Sequence, residues 1–331
     1  MCSVRRAVDK LTDRTVESAS APANRHRGGP YPYRYVAYHQ AIGAEMALPE
    51  LPELGRSRGE GRDLDLEVVQ ESIDESDEID QVNGVVRATT ADALLHYDHS
   101  GGFRVQNGRR IVVDTPVDPS RRLVRHLILG ACTGIALHQQ GHLTLHASAV
   151  GLEGGVAAFM GWKRRGKSTT ASALYASGAR LLTDDIVAIP PGADATVLPG
   201  IPQLRLGPEA VAATLDTTPE ALPRLHEEHE KRVGAADRRF QREPRPLRCI
   251  YLLEWGEEFE IKPLHPRNAF VRLLQHSYAQ RFLGETGATS SHFEKVNALV
   301  EAVPVVRLQR PPDLDRLPEM VELVRSHFQG V

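Results

Sequence analysis

Residues 155–169 read GVAAFMGWKRRGKST, and this stretch decides the fold. From Gly161 to Ser168 it matches the pattern GxxxxGK[ST] of a phosphate-binding loop. The apolar run 156–160 predicts a strand before the loop, and a helix is expected to begin near Lys167. In such a unit the loop N–H groups and the positive end of the helix dipole face one anion. The sequence therefore predicts an α/β domain that binds a nucleotide phosphate.

The residues of this loop have separate expected roles. Lys167 would reach the β- and γ-phosphates, and Ser168 would hold Mg²⁺. The neighbouring Lys163, Arg164 and Arg165 are expected to add contacts to phosphate or to an acidic substrate. The candidates for nucleotide binding are Gly161, Trp162, Lys163, Arg164, Arg165, Gly166, Lys167, Ser168 and Thr169. ATP and Mg²⁺ are the expected cofactors.

Two carboxylates follow the loop closely. Asp184 and Asp185 come seventeen and eighteen residues after Lys167, at the end of the apolar run ARLLT. The C-terminal end of a strand in a parallel sheet faces the same crevice as the phosphate loop, so at least one carboxylate is expected to face the nucleotide. One of the pair would bind metal and the other would accept a proton.

This short spacing narrows the reaction class. The chain has neither an LSGGQ-like signature nor an NKxD-type base reader, which argues against ABC-type ATPases and GTPases. The spacing suits kinases in which an acid near the γ-phosphate receives the proton of an attacking hydroxyl. Phosphoryl transfer is therefore the expected chemistry.

Charge and cysteine content exclude other classes. The 331 residues carry 40 Lys+Arg against 43 Asp+Glu, a net charge of −3, which gives no reason to expect binding to nucleic acid or to an acidic membrane. Three widely spaced cysteines offer no disulfide framework. No apolar run approaches the roughly 18 residues of a spanning helix, and the charged N-terminus is unlike a signal peptide. We expect a cytoplasmic protein with no membrane partner.

The chain divides into three expected parts. Residues 1–30 lack a hydrophobic period and are expected to be a disordered leader. Short alternating runs predict a small, antiparallel, β-rich N-terminal domain over 31–118, and a helix over about 118–141 leads into the phosphate-loop domain, 119–331. Later strands are predicted over 247–254 and 304–308, and later helices over 266–276, 291–300 and 313–328.

Three segments together resemble a known family. LHASAV at 145–150, GWKRRGKST at 161–169 and LLTDDIVAI at 181–189 resemble the C-terminal domain of HPr kinase/phosphorylase and its related proteins. In that family a His lies twenty-one residues before the loop Lys, and the second Asp of a DD pair lies eighteen after it. His146, Lys167 and Asp185 keep both spacings.

The resemblance implies a fold and a chemistry. The fold would be a P-loop, phosphoenolpyruvate carboxykinase-like α/β domain with a mixed sheet. Asp185 would act as general base toward a serine hydroxyl of a protein or peptide, His146 would organise the phosphate and the acid, and Lys167 would complete the catalytic set. Ser168 and Asp184 would bind the metal. A homo-oligomer is left open.

The sequence departs from the family in one functional segment. Where the bifunctional members carry an EIRGLG-like segment with a metal-binding Glu, residues 199–207 read PGIPQLRLG. If Arg205 is the matching Arg, Gln203 replaces that Glu, which puts a second metal contact and dephosphorylating activity in doubt. Lys231 and Arg232 are candidates for closing over the γ-phosphate.

Two alternative functions stay open. Small-molecule kinases of the shikimate or nucleotide type also place an acid about seventeen residues past the loop, although they usually begin with the loop. A nucleotide-binding regulatory module with little catalysis would explain Gln203. The position of the loop, about 160 residues into the chain, favours a serine kinase over a metabolite kinase.

Overall fold

The computed structural model describes residues 31–55, 63–74, 84–192, 195–227, 229–278 and 289–331. The leader predicted over residues 1–30 lies outside these described residues.

Seven short strands near the start of the described chain form one mixed sheet. They are β1 (Tyr33–Ala37), β2 (Gln40–Ala44), β3 (Leu66–Gln70), β4 (Gly84–Ala88), β5 (Asp92–Tyr97), β6 (Gly101–Gln106) and β7 (Arg110–Asp114). Their order is β1-β2-β3-β7-β6-β5-β4. β3 runs parallel to both β2 and β7, so the expectation of a purely antiparallel module is wrong at this strand. Long connections on both sides of β3 permit the parallel pairing.

A single helical rod follows this sheet. It consists of α1 (Arg122–Leu127), a π-helical turn (Ile128–Cys132) and α2 (Thr133–Gln139), close to the helix predicted over 118–141. Its apolar face shares one core with the first sheet and with Ile186 and Ala188 of a later strand. The rod therefore packs between the first sheet and the second.

The second sheet carries the loop of the predicted phosphate-binding motif, residues 161–166, hereafter the phosphate loop. The remaining strands are β8 (Leu143–Leu152), β9 (Gly155–Met160), β10 (Arg180–Ile189), β11 (Thr196–Val197), β12 (Gln203–Leu206), β13 (Arg232–Ala235), β14 (Arg245–Trp255), β15 (Glu260–Pro263) and β16 (Val305–Arg310). The sheet order is β10-β8-β9-β14-β16-β15, while β12 and β13 form a separate pair and β11 adds to β14. β14 is parallel to β9 and β16, but β10 pairs antiparallel with β8.

Helices cover both faces of this second sheet. They are α3 (Lys167–Ala176), α4 (Pro208–Thr214), α5 (Pro266–Gln275), α6 (Thr289–Ala302) and α7 (Leu317–Gln329), with short 3-10 turns at Pro219–Ala221 and Asp237–Arg239. One core joins α3, α4 and α7 to the sheet through residues such as Leu174 and Phe159. A second core joins α5 and α6 to the other face through Leu273 and Val296. The result is a layered mixed α/β architecture.

Strand register brings the acid pair to the loop. β8 pairs antiparallel with both β9 and β10, so that Met160, Ala147 and Asp185 lie in one row across three strands. Met160 is the last residue before the loop. Adjacent strands lie about 4.8 Å apart, so the backbone of Asp185 is roughly 10 Å to one side of the start of the loop. β10 continues past the acids to Ile189, where it pairs with the first residues of β8 beyond the end of β9.

No helix among the described residues combines the length and apolar character needed to cross a bilayer.

The core on the α3 face allows a stability prediction. Leu174 is fully buried there, and we expect Leu174→Ala to lower the free energy of unfolding by about 2–5 kcal/mol through a cavity. Val271 on α5 is 50% exposed, so Val271→Ala should change it by no more than about 0.5 kcal/mol. Urea denaturation measures both. Equal effects of the two substitutions would contradict this packing.

Candidate functional site

The phosphate loop lies between the end of β9 and the start of α3. Gly166 takes the N-cap position of α3 with φ 86°, a left-handed conformation that favours glycine. A Cβ at this position would also overlap the guanidinium of Arg310. Glycine is thus required here for two independent reasons, backbone conformation and a close side-chain neighbour.

Lys167 crosses the loop. Its Nζ donates a hydrogen bond to the carbonyl oxygen of Gly161 at 2.9 Å, and the side chain is buried. Burial, opposed by the negative charge of Asp185, lowers the pKa of Lys167. The ammonium group therefore sits over the start of the loop, where a phosphate oxygen would meet it together with the N–H groups of the helix start.

The other predicted loop residues are spread around its mouth. Trp162, Lys163 and Arg164 are exposed, and the Trp162 ring stands edge-on to the ring of His276 at 4.8 Å. Arg165 instead lies 5.9 Å from the ring of Trp255. Ser168 and Thr169 are half-buried in the first turn of α3. The loop thus has an exposed cationic side and a side that packs on β14.

Asp184 is buried and held by neutral donors. The Ser148 hydroxyl donates to its Oδ1 at 2.6 Å, and the backbone N–H of Arg205 donates to its Oδ2 at 2.8 Å. An ionised carboxylate has about four lone-pair sites, so these two bonds leave room for a metal ion. Asp184 therefore has acceptor sites left for a metal ion while both hydrogen bonds are kept.

Asp185 is held by Arg205 and His146. Its Oδ1 lies 3.0 Å from His146 Nδ1, and its Oδ2 accepts a hydrogen bond from Arg205 Nη1 at 2.9 Å. Burial raises the pKa of Asp185, but the hydrogen bond from His146 and the charge of Arg205 outweigh it and hold the pKa well below its usual range. Asp185 is therefore ionised at neutral pH.

The backbone at Asp185 departs from a regular strand. Its φ is 124°, which is rare outside glycine. Neighbouring residues of a regular strand point to opposite faces, yet both Asp184 and Asp185 contact Arg205. The unusual conformation accompanies this convergence of the two carboxylates on one arginine, and such strain is typical of functional positions.

Sequence reasoning missed two residues of this site. Arg205, on β12, contacts both acids, and its match to the Arg of an EIRGLG-like segment is the one sequence signal that points to it. His276 follows α5, and its carbonyl oxygen accepts a hydrogen bond from the backbone N–H of His146 at 2.8 Å. Burial, with the charges of Lys167 and His146, lowers the pKa of His276 to about 4, so its ring is neutral at pH 7. No local sequence pattern marks His276.

The remaining candidates are placed as follows. Gln203 is buried on β12, two residues before Arg205. Arg232 is directed to the carbonyl oxygen of Leu222, whereas Lys231 lies close enough to Lys167 to lower its pKa. Of the two cations predicted to close over the γ-phosphate, Lys231 is the one on the side of the loop.

The donor set suits Mg²⁺ better than a transition metal. Among the described residues no group of three or more His, Cys, Asp or Glu side chains is arranged to hold a metal ion. Mg²⁺ requires fewer protein ligands, because it keeps several waters and takes phosphate oxygens. A hydroxyl and a carboxylate oxygen, the ligand types that Ser168 and Asp184 carry, are among the oxygen ligands that Mg²⁺ accepts.

The Asp185–Arg205 pair allows a stability prediction. We expect Asp185→Asn to lower the free energy of unfolding by about 1–3 kcal/mol, because the buried guanidinium of Arg205 loses its charged partner. Arg205→Met removes that unpaired charge, so the double variant should be less destabilised than the sum of the singles in urea denaturation. Additive effects would mean that the two groups do not interact.

The same pair should show a pH dependence. The pKa of folded Asp185 is below its ordinary value of 3.8, so the folded state binds fewer protons than the unfolded state. The stabilisation by ionised Asp185 is fully present above its ordinary pKa of 3.8 and is lost as the pH falls toward the lower pKa of the folded state. The difference in stability between wild type and Asp185→Asn should stay constant at neutral pH and shrink in acid, whereas the exposed control Asp216→Asn should differ little from wild type throughout.

Comparisons with known proteins give only a distant likeness. No protein-family model matches the sequence, and no curated protein matches it. Among solved structures, the Hpr(Ser) kinase/phosphatase from Coxiella burnetii aligns with 56% of this chain and 91% of its own, at 11% sequence identity and a TM-score of 0.33. A likeness of this size carries no argument about activity, and the chemistry of the site rests on its own geometry.

Proposed function

We propose that this protein is an ATP-dependent kinase that transfers the γ-phosphoryl group to a serine hydroxyl of a protein or peptide. The observation that carries the proposal is the row formed by Met160, Ala147 and Asp185, because it holds an ionised carboxylate and His146 beside a phosphate loop whose lysine is in place. A loop alone binds phosphate. A loop with a fixed acid at its side has the parts of a phosphotransferase.

The donor would be held by groups on the loop and α3. The N–H groups at the start of α3 and the Lys167 ammonium would bind the β- and γ-phosphates, as their positions at the loop support. Ser168 and Asp184 would hold Mg²⁺, which when bound neutralises charge on the transferred group. Lys163, Arg164 and Lys231 add positive potential around the same polyanion.

Asp185 would receive the proton of the acceptor hydroxyl. As the serine oxygen forms its bond to the γ-phosphorus and the bond to the β-phosphate oxygen breaks, the proton passes to a carboxylate oxygen of Asp185. The low pKa of Asp185 makes it a weak base, but phosphoryl transfer has a loose transition state that needs positioning more than basicity. Arg205 and His146 would fix the direction of that carboxylate.

An open site favours a macromolecular acceptor over a metabolite. His146 has 44% of its side chain exposed, and Trp162 is 49% exposed at the mouth of the loop. Sites for small molecules usually bury most of the ligand surface in a closed pocket. A serine presented on a peptide needs only local access to Asp185, and the exposed residues around it can contact the flanking chain.

Labelled ATP tests this proposal. The protein is incubated with γ-labelled ATP, Mg²⁺ and peptide, protein or metabolite acceptors, next to Asp185→Asn and the exposed control Asp216→Asn. We expect label on serine of a peptide or protein, a loss of about 10²–10⁴-fold in Asp185→Asn with ATP affinity retained, and no loss in the control.

Other outcomes would reject this assignment. Label found only on small molecules would favour the metabolite kinase. ATP binding by wild type without transfer to any acceptor would favour the regulatory module. Equal transfer by Asp185→Asn and wild type would remove Asp185 from the mechanism.

A further inference from the structure

Arg310 brings a buried positive charge against the phosphate loop. It is the last residue of β16, and its side chain is 2% exposed. The guanidinium packs directly against the backbone of Gly166, where the missing side chain of glycine makes room for it. Burial lowers the pKa of Arg310 to about 10, so the group stays charged at neutral pH.

This charge has no anionic partner in the part of the chain that the structure describes. No carboxylate there forms an ion pair with Arg310, and its Nε has no hydrogen-bond partner. Its guanidinium carbon lies 4.6 Å from the centroid of the Trp255 ring. A cation–π contact offsets only part of the cost of removing a full charge from water.

Other nearby groups add positive rather than negative charge. The N-terminus of α3 carries a partial positive charge at the residue that Arg310 touches, and Lys167 follows it immediately. Arg165 approaches the same Trp255 ring. The positive charges of Arg310, Lys167 and the start of α3 therefore lie close together in the ligand-free protein, and a bound polyanion would balance them.

Strand order shows which part of a polyphosphate would lie near Arg310. Arg310 and Trp255 are partners in the parallel pairing of β16 with β14, on one side of the loop strand. Asp185 and His146 lie on the other side, on β10 and β8. With the transferred group directed to Asp185, the rest of the polyphosphate extends over the loop toward the Arg310 side.

We propose that Arg310 is a positioning residue that acts as a buried counter-charge for the bound polyphosphate and sets the affinity of the loop for it. This inference rests on the proposed function only in taking a nucleotide polyphosphate as the ligand. It assigns Arg310 a role in binding, through the loop backbone, and no contact with the reacting atoms.

The proposal predicts opposite effects on stability and on binding. Removing an unbalanced buried charge relieves the ligand-free protein, so Arg310→Met should unfold at a urea concentration equal to or above that of wild type. Its affinity for pyrophosphate and for Mg·ATP should fall by about tenfold or more. A residue needed only for packing would lower stability and leave the affinity of the folded protein unchanged.

Matched variants isolate the buried charge. Arg307 lies on the same strand but is paired with Glu260 at 3.6 Å, so Arg307→Met should leave both affinities unchanged. Arg310→Gln keeps a planar hydrogen-bonding group without the charge and should weaken binding as much as Arg310→Met. It therefore provides the same test if the methionine variant folds poorly. Arg310→Lys should retain part of the affinity. Isothermal titration calorimetry with pyrophosphate and Mg·ATP measures all four.

Salt separates a buried charge from a surface charge. Exposed charges are largely screened at about 1 M salt, whereas buried ones are screened much less. The affinity ratio between wild type and Arg310→Met should therefore persist in high salt. The ratio between wild type and Lys163→Met, which removes an exposed cation of the loop, should shrink toward one.

The results also separate this inference from the kinase proposal. Arg310-dependent binding of pyrophosphate without transfer of label would support the counter-charge and reject the kinase. Transfer of label by wild type, with Arg310→Gln binding pyrophosphate as tightly as wild type, would overturn the counter-charge alone. Arg310 variants that are less stable but bind normally once folded would also overturn it.

Discussion

The antiparallel pairing of β8 with both β9 and β10 is the constraint on which the site depends. It places Asp185 in the same cross-strand row as Met160, the last residue before the loop. A shift of register by one residue would turn His146 and the acids to the opposite face of the sheet. Nine of the ten residues of β8 are buried, so packing on both faces fixes the register, and His146 is the residue of β8 that is half-exposed at the crevice.

The charged groups of the site differ in the partners that surround them. Asp184 accepts hydrogen bonds from neutral donors, and Asp185 contacts Arg205 and His146. Positive groups from α3, β16 and the loop itself lie close together at the loop. Close like charges are unfavourable in a ligand-free protein. In the proposed function, their concentration on one side of a fixed acid would favour a polyanionic donor and orient it toward that acid.

Local patterns predicted most of the secondary structure but not its pairing. Residues 155–169 form the strand, loop and helix expected of them. Two expectations failed: β3 pairs parallel with its neighbours, and β10 continues beyond the acids beside β8. Strand direction and neighbours depend on long connections, which leave no local signal.

For this protein the sequence by itself determined the strand, loop and helix and the phosphate chemistry expected of them, since a turn framed by two glycines before a helix follows from local backbone preferences and from the residue types at fixed spacing. The tertiary structure alone decided which distant groups join it. Arg205, His276 and Arg310 come from separate segments, and each reaches the site because strand register and buried packing bring the ends of β12, α5 and β16 to one edge. Such contacts between distant segments are set by the fold as a whole, and the residues adjacent in sequence do not indicate them.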